Sequence, residues 1–318
     1  MKKQICIMLT MCLFLSAFAG CGKTSDQSQT TDGATEMSHS AGIQALNGKR
    51  VIFLGNSHTY YSKCVIDKGQ KTSLAERTAD QGLFYQLCKA NGINVDVTNY
   101  AFGVHQLSDF YSGSCAAGKH DGYNHMADFA DFNYDYVIIQ QGTKDNNNDL
   151  VGDVQKMAEP FKKANPDVKV LFMVHQLAYT RNYGWLEKVA LLKDAGVTVV
   201  DWGGMLHGIL QGTQEVPGTE QTFYPNSFII SQSDSDGYHP NLLTGYITAL
   251  MTYCAITGEK AEGQPYRFGD ANPILGEAAV KAYRASYYTF DPQTNFDEIL
   301  LSKTEMTGFQ KLIDSYMG

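Results

Sequence analysis

A serine, an aspartate and a histidine in this chain have the types and the order of a group that performs nucleophilic catalysis. Ser57 follows an apolar run at 51–54, and Asp236 and His239 are close enough for a single turn to carry both. A serine hydroxyl is a weak nucleophile at neutral pH, so it needs a base such as histidine, whose unperturbed pKa is near ~6.5. The carboxylate orients the imidazole and stabilises the imidazolium that forms. The order Ser, Asp, His therefore predicts attack on an ester carbonyl.

The surroundings of these residues favour the catalytic interpretation over simpler ones. A serine at a strand end is commonly a turn residue or a helix cap, and an aspartate three positions before a histidine commonly has no function. Here Ser57 ends an apolar run, while Pro240 at a first helical position and the apolar segment 241–258 predict a helix directly after His239. Active sites are built at such strand ends and helix starts.

Several segments resemble the sequence blocks of the SGNH (GDSL-type) hydrolases. Gly-Asn-Ser-His at 55–58 resembles the first block, usually Gly-Asp-Ser, with Asn56 in the place of the aspartate. Asp-x-x-His-Pro at 236–240 resembles the last block. Asn-Tyr-Ala-Phe-Gly at 99–103 resembles the second block, and residues 135–143 resemble the strand that leads into the third. The resemblance implies a serine ester hydrolase that works without a cofactor.

The same resemblance implies an oxyanion hole, the set of donors that stabilises the negative charge developing on the substrate oxygen. The backbone N–H groups of Ser57 and Gly103 supply two of its donors. The family's third block usually adds an asparagine, but Lys144 stands in its place here, and Gln140 matches a glutamine that some branches carry at the strand end. Either side chain can donate. We favour Gln140 because an amide is the closer substitute for asparagine.

Apolar, strand-like runs alternate with helical patterns along the chain. Such alternation predicts a parallel sheet with helices on both faces, and the resemblance, which covers residues 49–258, implies the flavodoxin-like SGNH hydrolase fold. We therefore predict an α/β fold, a three-layer α/β/α sandwich with a mainly parallel five-stranded sheet. The predicted strands are 50–54, 94–98, 136–140, 168–174 and 197–200, and the predicted helices are 74–90, 151–163, 184–194, 205–210, 275–288 and 296–316.

The predicted strands bring the candidate residues to one edge of the sheet. In open parallel sheets ligands bind at the carboxyl ends of the strands. Ser57, Gly103, Gln140 and His175 each follow a strand-like run. His175 is therefore a candidate substrate-binding residue, although a strand-end histidine bonded to the backbone explains its position equally well.

The remaining histidines of this region suggest no further chemistry. His58 directly follows the nucleophile, and we expect its ring to point away from the base and to pack locally. His105, His120 and His125, together with Asp121, lack the spacing of a known metal site. We expect these four to be surface-loop residues, and we predict no metal.

Charge and cysteine spacing exclude two classes of partner. The formal net charge is −8, and the chain has no basic cluster, which argues against a nucleic acid. No pair of cysteines after residue 21 shows C-x-x-C spacing, which argues against a zinc site. A disulfide and buried free thiols both stay open for these cysteines, which are Cys64, Cys88, Cys115 and Cys254.

The first residues of the chain are typical of an exported protein. Two lysines and an apolar stretch at 5–19, too short to span a membrane, indicate a signal peptide. Ala-Gly-Cys at 19–21 resembles a bacterial lipoprotein signal with Cys21 as the lipidated N-terminus, although an ordinary secretory signal with an incidental cysteine also fits. A polar segment follows that cannot bury a core. We predict a lipoprotein signal peptide at 1–20, a flexible tether at 21–46 and an SGNH-type hydrolase domain with C-terminal helices at 47–318.

Together these features predict a lipid-anchored serine esterase at the cell surface or in the periplasm of a bacterium. By analogy with exported SGNH hydrolases, we expect a small acyl ester, above all an acetyl ester, on a small molecule or a carbohydrate. Two alternatives stay open. The altered third block favours a non-catalytic, lipid-anchored glycan-binding module with a relic site. A solute-binding lipoprotein would need two similar lobes, and the sequence shows no internal repeat.

Overall fold

The structure is a computed structural model, and the residues that it describes lie in one compact unit, Ser38–Gly318. The predicted signal peptide with Cys21, and the candidates Asp236 and Lys144, lie outside the described residues. The described residues are 40–60, 62, 64–65, 82–103, 105–112, 125–128, 131–140, 149–180, 185–220, 222–224, 227–229, 239–266 and 303–318.

Five strands form one sheet in which every neighbouring pair is parallel. They are β1 Arg50–Gly55, β2 Asp96–Ala101, β3 Tyr136–Gln140, β4 Lys169–Met173 and β5 Thr198–Val200. Their order, β2-β1-β3-β4-β5, is that of flavodoxin-like folds. The central strands are almost entirely apolar, as strands covered on both faces must be. The predicted fold class is confirmed.

Helices cover both faces of this sheet and complete the three layers. They are α1 Ser40–Leu46, α2 Ser57–Tyr60, α3 Leu83–Ala90, α4 Asp109–Ser112, α5 Leu150–Ala164, α6 Leu177–Thr180, α7 Trp185–Asp194, α8 Trp202–Leu210, α9 Leu242–Thr257 and α10 Lys303–Met317. Val51 and Phe53 of β1 pack into one core with α3, α8, α9 and α10. Ile52 and Leu54 face the other core, with α5 and α7. This alternation follows from the two-residue period of a strand.

The second strand lies later in the chain than the sequence predicts. The predicted span of 94–98 ends where buried polar residues begin, but β2 continues through Thr98 and Asn99 to Ala101. Both polar side chains find partners inside the fold. The Asn99 side chain accepts a hydrogen bond from the backbone N–H of Ala101 at 3.2 Å, and the Thr98 hydroxyl lies 3.4 Å from the Tyr134 hydroxyl.

The start of α9 corrects the predicted role of Pro240. The first helical residue is Leu242, and Asn241 caps the helix by accepting the N–H of Thr244 at 3.0 Å. Pro240 lies before the cap and forms an isolated antiparallel bridge with Ile229. Asn241 also donates its side-chain N–H to the Ser227 carbonyl at 2.7 Å. These bonds fix the backbone that carries His239.

The ends of the described domain are packed against α9. The predicted tether extends too far, because its last residues form α1, whose Leu46 is fully buried in the core. At the other end, Gln310 of α10 donates to the Tyr246 hydroxyl at 2.9 Å and to the Gln264 carbonyl at 2.6 Å. The predicted helix at 275–288 lies outside the described residues. In the part of the chain that the structure describes, no helix is long and apolar enough to cross a membrane.

Candidate functional site

Ser57 and His239 meet at the carboxyl edge of the sheet although 182 residues separate them. β1 ends at Gly55, and Ser57 begins the short helix α2 two residues later. The turn is tight, because a Cβ on Gly55 would lie 2.5 Å from Thr59 Oγ1. Ser57 Oγ lies 2.9 Å from His239 Nε2, and both side chains are buried. This is the distance that proton transfer from a serine to a base requires.

Asn56 ties the nucleophile turn to the loop after β2. Its buried side chain donates from Nδ2 to the His105 carbonyl at 3.1 Å and accepts the backbone N–H of His58 at Oδ1, also at 3.1 Å. An aspartate has two acceptor oxygens and no donor when ionised. The donated bond therefore explains why this chain has asparagine where the first SGNH block usually has aspartate.

Two histidines near Gly103 are not on the surface: His105, in the loop after β2, and His125, which begins a short 3-10 helix, His125–Asp128. His105 and His125 are 2% and 5% exposed, and their Nε2 atoms are 2.9 Å apart. His105 Nδ1 lies 2.9 Å from the Gly103 carbonyl oxygen. The expectation of surface-loop residues is wrong for these two, because the aromatic rings of Phe102 and Phe110 pack against both of them. Phe102 lies 4.0 Å from His125 and Phe110 5.9 Å from His105, measured between ring centroids.

The prediction that the protein has no metal site concerned four residues, and only His105 and His125 among them are described. His120 and Asp121 lie outside the described residues. Among the residues that are described, no group of three or more His, Cys, Asp or Glu side chains has the arrangement to hold a metal ion.

Gln140, at the end of β3, presents a side-chain donor that no residue in the described part of the chain accepts. Its Oε1 accepts the hydroxyl of Thr59 at 2.7 Å, two positions after Ser57. Its Nε2 is buried and has no hydrogen-bond partner within the described structure. A buried donor without a partner costs about 1–3 kcal/mol, so a free amide beside the nucleophile turn calls for an explanation. Donation to an oxyanion is such an explanation.

His58 packs against the base, contrary to the expectation that it points away. The His58 and His239 rings are stacked, with centroids 4.7 Å apart and planes 17° apart. On its other side His58 meets His175 edge to face at 4.4 Å, and His175 meets Trp202 of α8 in the same manner at 4.8 Å. We call His239, His58 and His175 the imidazole stack. Local sequence could not place the His58 ring, because both of its neighbours come from distant segments.

His175 has one nitrogen fixed and one available. Its Nδ1 accepts the backbone N–H of Leu177 at 3.1 Å, which puts the ring proton of the neutral form on Nε2. Burial, and secondarily the nearby His239, lower the pKa of His175 from 6.5 to about 3, so its ring is neutral at physiological pH. No residue in the described ranges accepts a hydrogen bond from Nε2. The backbone-bonded interpretation is thus correct for Nδ1, and substrate binding through Nε2 remains a hypothesis.

Three of the cysteines are free thiols. Cys64, Cys88 and Cys254 are buried and unpaired. Burial raises the pKa of the Cys254 thiol to about 12, which makes it a poor nucleophile. The predicted partner of the base, Asp236, lies outside the described residues together with Cys115.

The site contains residues that the sequence motifs do not reveal. Asn56 and His58 adjoin Ser57, and their position next to the nucleophile is the sequence feature that could have marked them as site residues. Thr59 and Trp202 carry no such signal, because their roles depend on contacts with Gln140 and His175 across the sheet edge.

Comparisons with known proteins give only distant similarities. A scan against protein-family models finds no match, and a search of curated proteins finds none either. One similar solved structure is a DUF4886 family protein from Bacteroides uniformis, with 14% identity over 74% of this chain and 93% of that one and a TM-score of 0.41.

Two further solved structures have names that refer to ester chemistry. A family 3 carbohydrate esterase from Clostridium thermocellum is 13% identical over 64% of this chain and 93% of that one, with a TM-score of 0.38. A member of the lipolytic G-D-S-L family from Veillonella parvula is 16% identical over 64% of this chain and 95% of that one, with a TM-score of 0.36. Similarity this low does not establish an activity, which must be judged from the geometry of the site.

Proposed function

We propose that this protein is a serine ester hydrolase of the SGNH type. The observation that carries the proposal is the 2.9 Å contact between Ser57 Oγ and His239 Nε2 in a buried site at the carboxyl edge of a parallel sheet. The arrangement pairs a nucleophile with a base, which is the requirement for acyl transfer through a covalent intermediate. The unused Nε2 donor of Gln140 supports it further, because a site built to bind an oxyanion needs donors that the resting protein does not occupy.

The proposed reaction follows the geometry step by step. Ser57 Oγ attacks the ester carbonyl as its proton passes to His239 Nε2. The N–H groups of Ser57 and Gly103 and the Gln140 amide hold the resulting oxyanion. The tetrahedral intermediate collapses, the alcohol leaves with the proton from His239, and the acyl group stays on Ser57. Water then gives a proton to His239 and attacks the acyl group, and the second tetrahedral intermediate collapses to release the acid as His239 returns the proton to Ser57 Oγ.

The proposed role of Asp236 is to accept the Nδ1–H of His239. Such a bond keeps the base in the tautomer that can take a proton at Nε2 and stabilises the imidazolium. The position of Asp236 three residues before His239 supports this assignment.

The finer proposal is an acetyl or other small acyl ester on a carbohydrate, hydrolysed outside the cytoplasm. The location is supported by the lipoprotein-like start of the chain, with Ala-Gly-Cys at 19–21 and a polar segment after it, whereas the substrate class is proposed by analogy with exported SGNH hydrolases. Cys21 would carry the lipid that holds the enzyme at the membrane. Exchange of Cys21 for alanine should then release the protein from the membrane fraction or block its processing. A variant that still fractionates with membranes as the wild type does would refute this anchor.

Turnover of p-nitrophenyl acetate by the whole protein tests the esterase proposal. We expect measurable hydrolysis, and we expect Ser57→Ala and His239→Ala each to lower kcat by at least about 10³-fold, because removing either member of such a pair disables both. Release of acetate from acetylated xylan, compared with hydrolysis of p-nitrophenyl butyrate, tests the substrate class. If the wild type is no faster than Ser57→Ala on any of these esters, the hydrolase proposal fails, and glycan binding without turnover would favour the relic module.

A further inference from the structure

The ring of His105 has a defined proton arrangement because of what its two nitrogens face. The Gly103 carbonyl can only accept, so the proton of His105 lies on Nδ1. In the neutral ring Nε2 is then an acceptor. It faces His125 Nε2 at 2.9 Å, so His125 must carry its own proton on Nε2 and donate it. We call His105 and His125 the imidazole pair.

The pair is attached to the rest of the site at both ends. The His105 carbonyl accepts Asn56 Nδ2 at 3.1 Å, directly before the nucleophile. The His125 carbonyl accepts the hydroxyl of Tyr100, a fully buried residue of β2, at 3.0 Å. The pair therefore connects the loop after β2 to the nucleophile turn and to the sheet.

His105 contacts the peptides on both sides of Gly103. Its backbone N–H donates to the Phe102 carbonyl at 3.3 Å, which restrains the peptide that contains the Gly103 N–H. Its ring Nδ1 donates to the Gly103 carbonyl at 2.9 Å, which restrains the next peptide. Glycine lacks the Cβ that limits rotation in other residues. External bonds must therefore hold Gly103 if its N–H is to keep one direction.

The environment makes these bonds effective. Both rings are nearly inaccessible to water, and Phe102 and Phe110 lie against them. Hydrogen bonds in such a low-dielectric environment are electrostatically stronger than in water, and neighbouring bonds polarise one another.

We propose that His105, held by His125, is a positioning residue that aims the Gly103 N–H at the oxyanion. The inference rests on the esterase proposal for its effect on rate, and on the geometry alone for its effect on Gly103. Preorganised donors contribute because they need no reorganisation during the reaction. Loss of the ring bond should therefore lower kcat and leave KM almost unchanged.

Four variants of the whole protein separate positioning from simple packing. His105→Phe keeps a ring but loses both bonds, whereas His105→Asn keeps a donor at the place of Nδ1. His125→Phe loses the donor to His105, whereas His125→Gln keeps a donor at the place of Nε2. With p-nitrophenyl acetate we expect His105→Phe to lower kcat by roughly 10–100-fold, the loss that a misplaced catalytic group causes. His125→Phe should lower kcat less, and the two amide variants should recover most of it.

A second measurement does not depend on activity. Nitrogen NMR of the wild type should show His105 protonated on Nδ1 and His125 on Nε2. The Gly103 amide hydrogen should exchange with solvent about tenfold faster in His105→Phe, because the free energy of the local opening that exposes it falls. In His105→Asn it should exchange near the wild-type rate. Should the wild type prove inactive on esters, the esterase proposal fails, while these shifts and exchange rates still decide the positioning role.

Clear results would overturn the inference. If His105→Asn is as damaging as His105→Phe in both kcat and Gly103 exchange, the ring acts through packing and not through the donated bond. The same conclusion follows if His105→Phe leaves both quantities at their wild-type values. Should His105→Phe fail to fold, the comparison of His105→Asn with the wild type and of His125→Gln with His125→Phe carries the test.

Discussion

The imidazole pair and the imidazole stack use the same side chain in two different ways. In the pair, His105 and His125 meet nitrogen to nitrogen at 2.9 Å with ring planes 70° apart. In the stack, His58 and His239 meet face to face at 4.7 Å. An edge contact engages ring nitrogens and assigns the protons. A face contact involves the ring planes and not the nitrogens, and His239 Nε2 lies 2.9 Å from Ser57 Oγ.

This difference indicates that the two histidine clusters have different roles near Ser57. The pair restrains backbone on the side of Gly103, where we propose that negative charge develops on the substrate. In the stack, His58 packs against the ring of the base, His239. Changes in the pair should therefore act through the oxyanion, and changes in the stack should act through His239. The following variants test that division, beginning with the largest expected effect.

Gln140→Ala tests whether the Gln140 side chain, at the end of β3, donates a hydrogen bond to the oxyanion. We expect kcat to fall by roughly 10²–10³-fold with little change in KM, because the bond from Nε2 forms mainly in the transition state. Gln140→Glu should be at least as harmful, since a carboxylate repels the oxyanion. Lys144→Ala is the control and should be nearly neutral in steady-state kinetics. If Gln140→Ala keeps the wild-type kcat and Lys144→Ala loses most of it, Lys144 and not Gln140 is the side-chain donor to the oxyanion.

Asn56→Asp tests the connection between the nucleophile turn and the pair. The carboxylate cannot donate to the His105 carbonyl, so that buried acceptor loses its partner. The free energy of unfolding in urea should fall by about 1–3 kcal/mol, the usual cost of a buried unsatisfied group. Asn56→Ala loses the same donor, and also the acceptor of the His58 N–H, without adding a charge. We expect it to be destabilised as well, and equal stability of wild type and Asn56→Asp would disprove the role of the donated bond.

His175→Asn tests the charge state within the stack. Folding lowers the pKa of His175 from 6.5 to about 3. Between these two values the unfolded chain binds a proton at His175, whereas the folded chain keeps this ring neutral. The free energy of unfolding must then fall as the pH falls from 6.5 towards 3, by at most about 1.4 kcal/mol per pH unit from this group.

An asparagine keeps an acceptor for the Leu177 N–H and does not titrate. Urea unfolding of His175→Asn between pH 7 and pH 4 should therefore lose stability less steeply than the wild type. Parallel curves for the two proteins would show that His175 is not the buried neutral group described above.

His58→Ala should have the smallest effect of the four, and it tests the face contact with the base. Aromatic pairs contribute about 0.5–1.5 kcal/mol beyond their buried area, so we expect kcat to fall by only about twofold to tenfold. His58→Phe keeps a flat ring and should recover the activity. Recovery would show that the ring face matters, whereas an equally slow His58→Phe would mean that an imidazole nitrogen of His58 takes part.

The sequence alone determined the features that depend on interactions between residues close together in the chain. Runs of Val, Ile and Leu bounded by polar residues predict buried parallel strands, and β1, β3 and β4 lie close to their predicted positions. The two motifs around Ser57 and His239 predicted the residues that the structure brings to 2.9 Å. Such patterns are legible because strand period and turn chemistry act over a few neighbouring residues.

Tertiary structure decided the features in which distant segments meet. The span of β2 depends on burial of Thr98 and Asn99, and Thr98 meets Tyr134 there. The burial of the imidazole pair depends on an aromatic enclosure, and the direction of the His58 ring depends on His239 and His175. Burial, tautomer and ring orientation are set by the atoms that surround a side chain, and in this fold those atoms come from segments far apart in the chain.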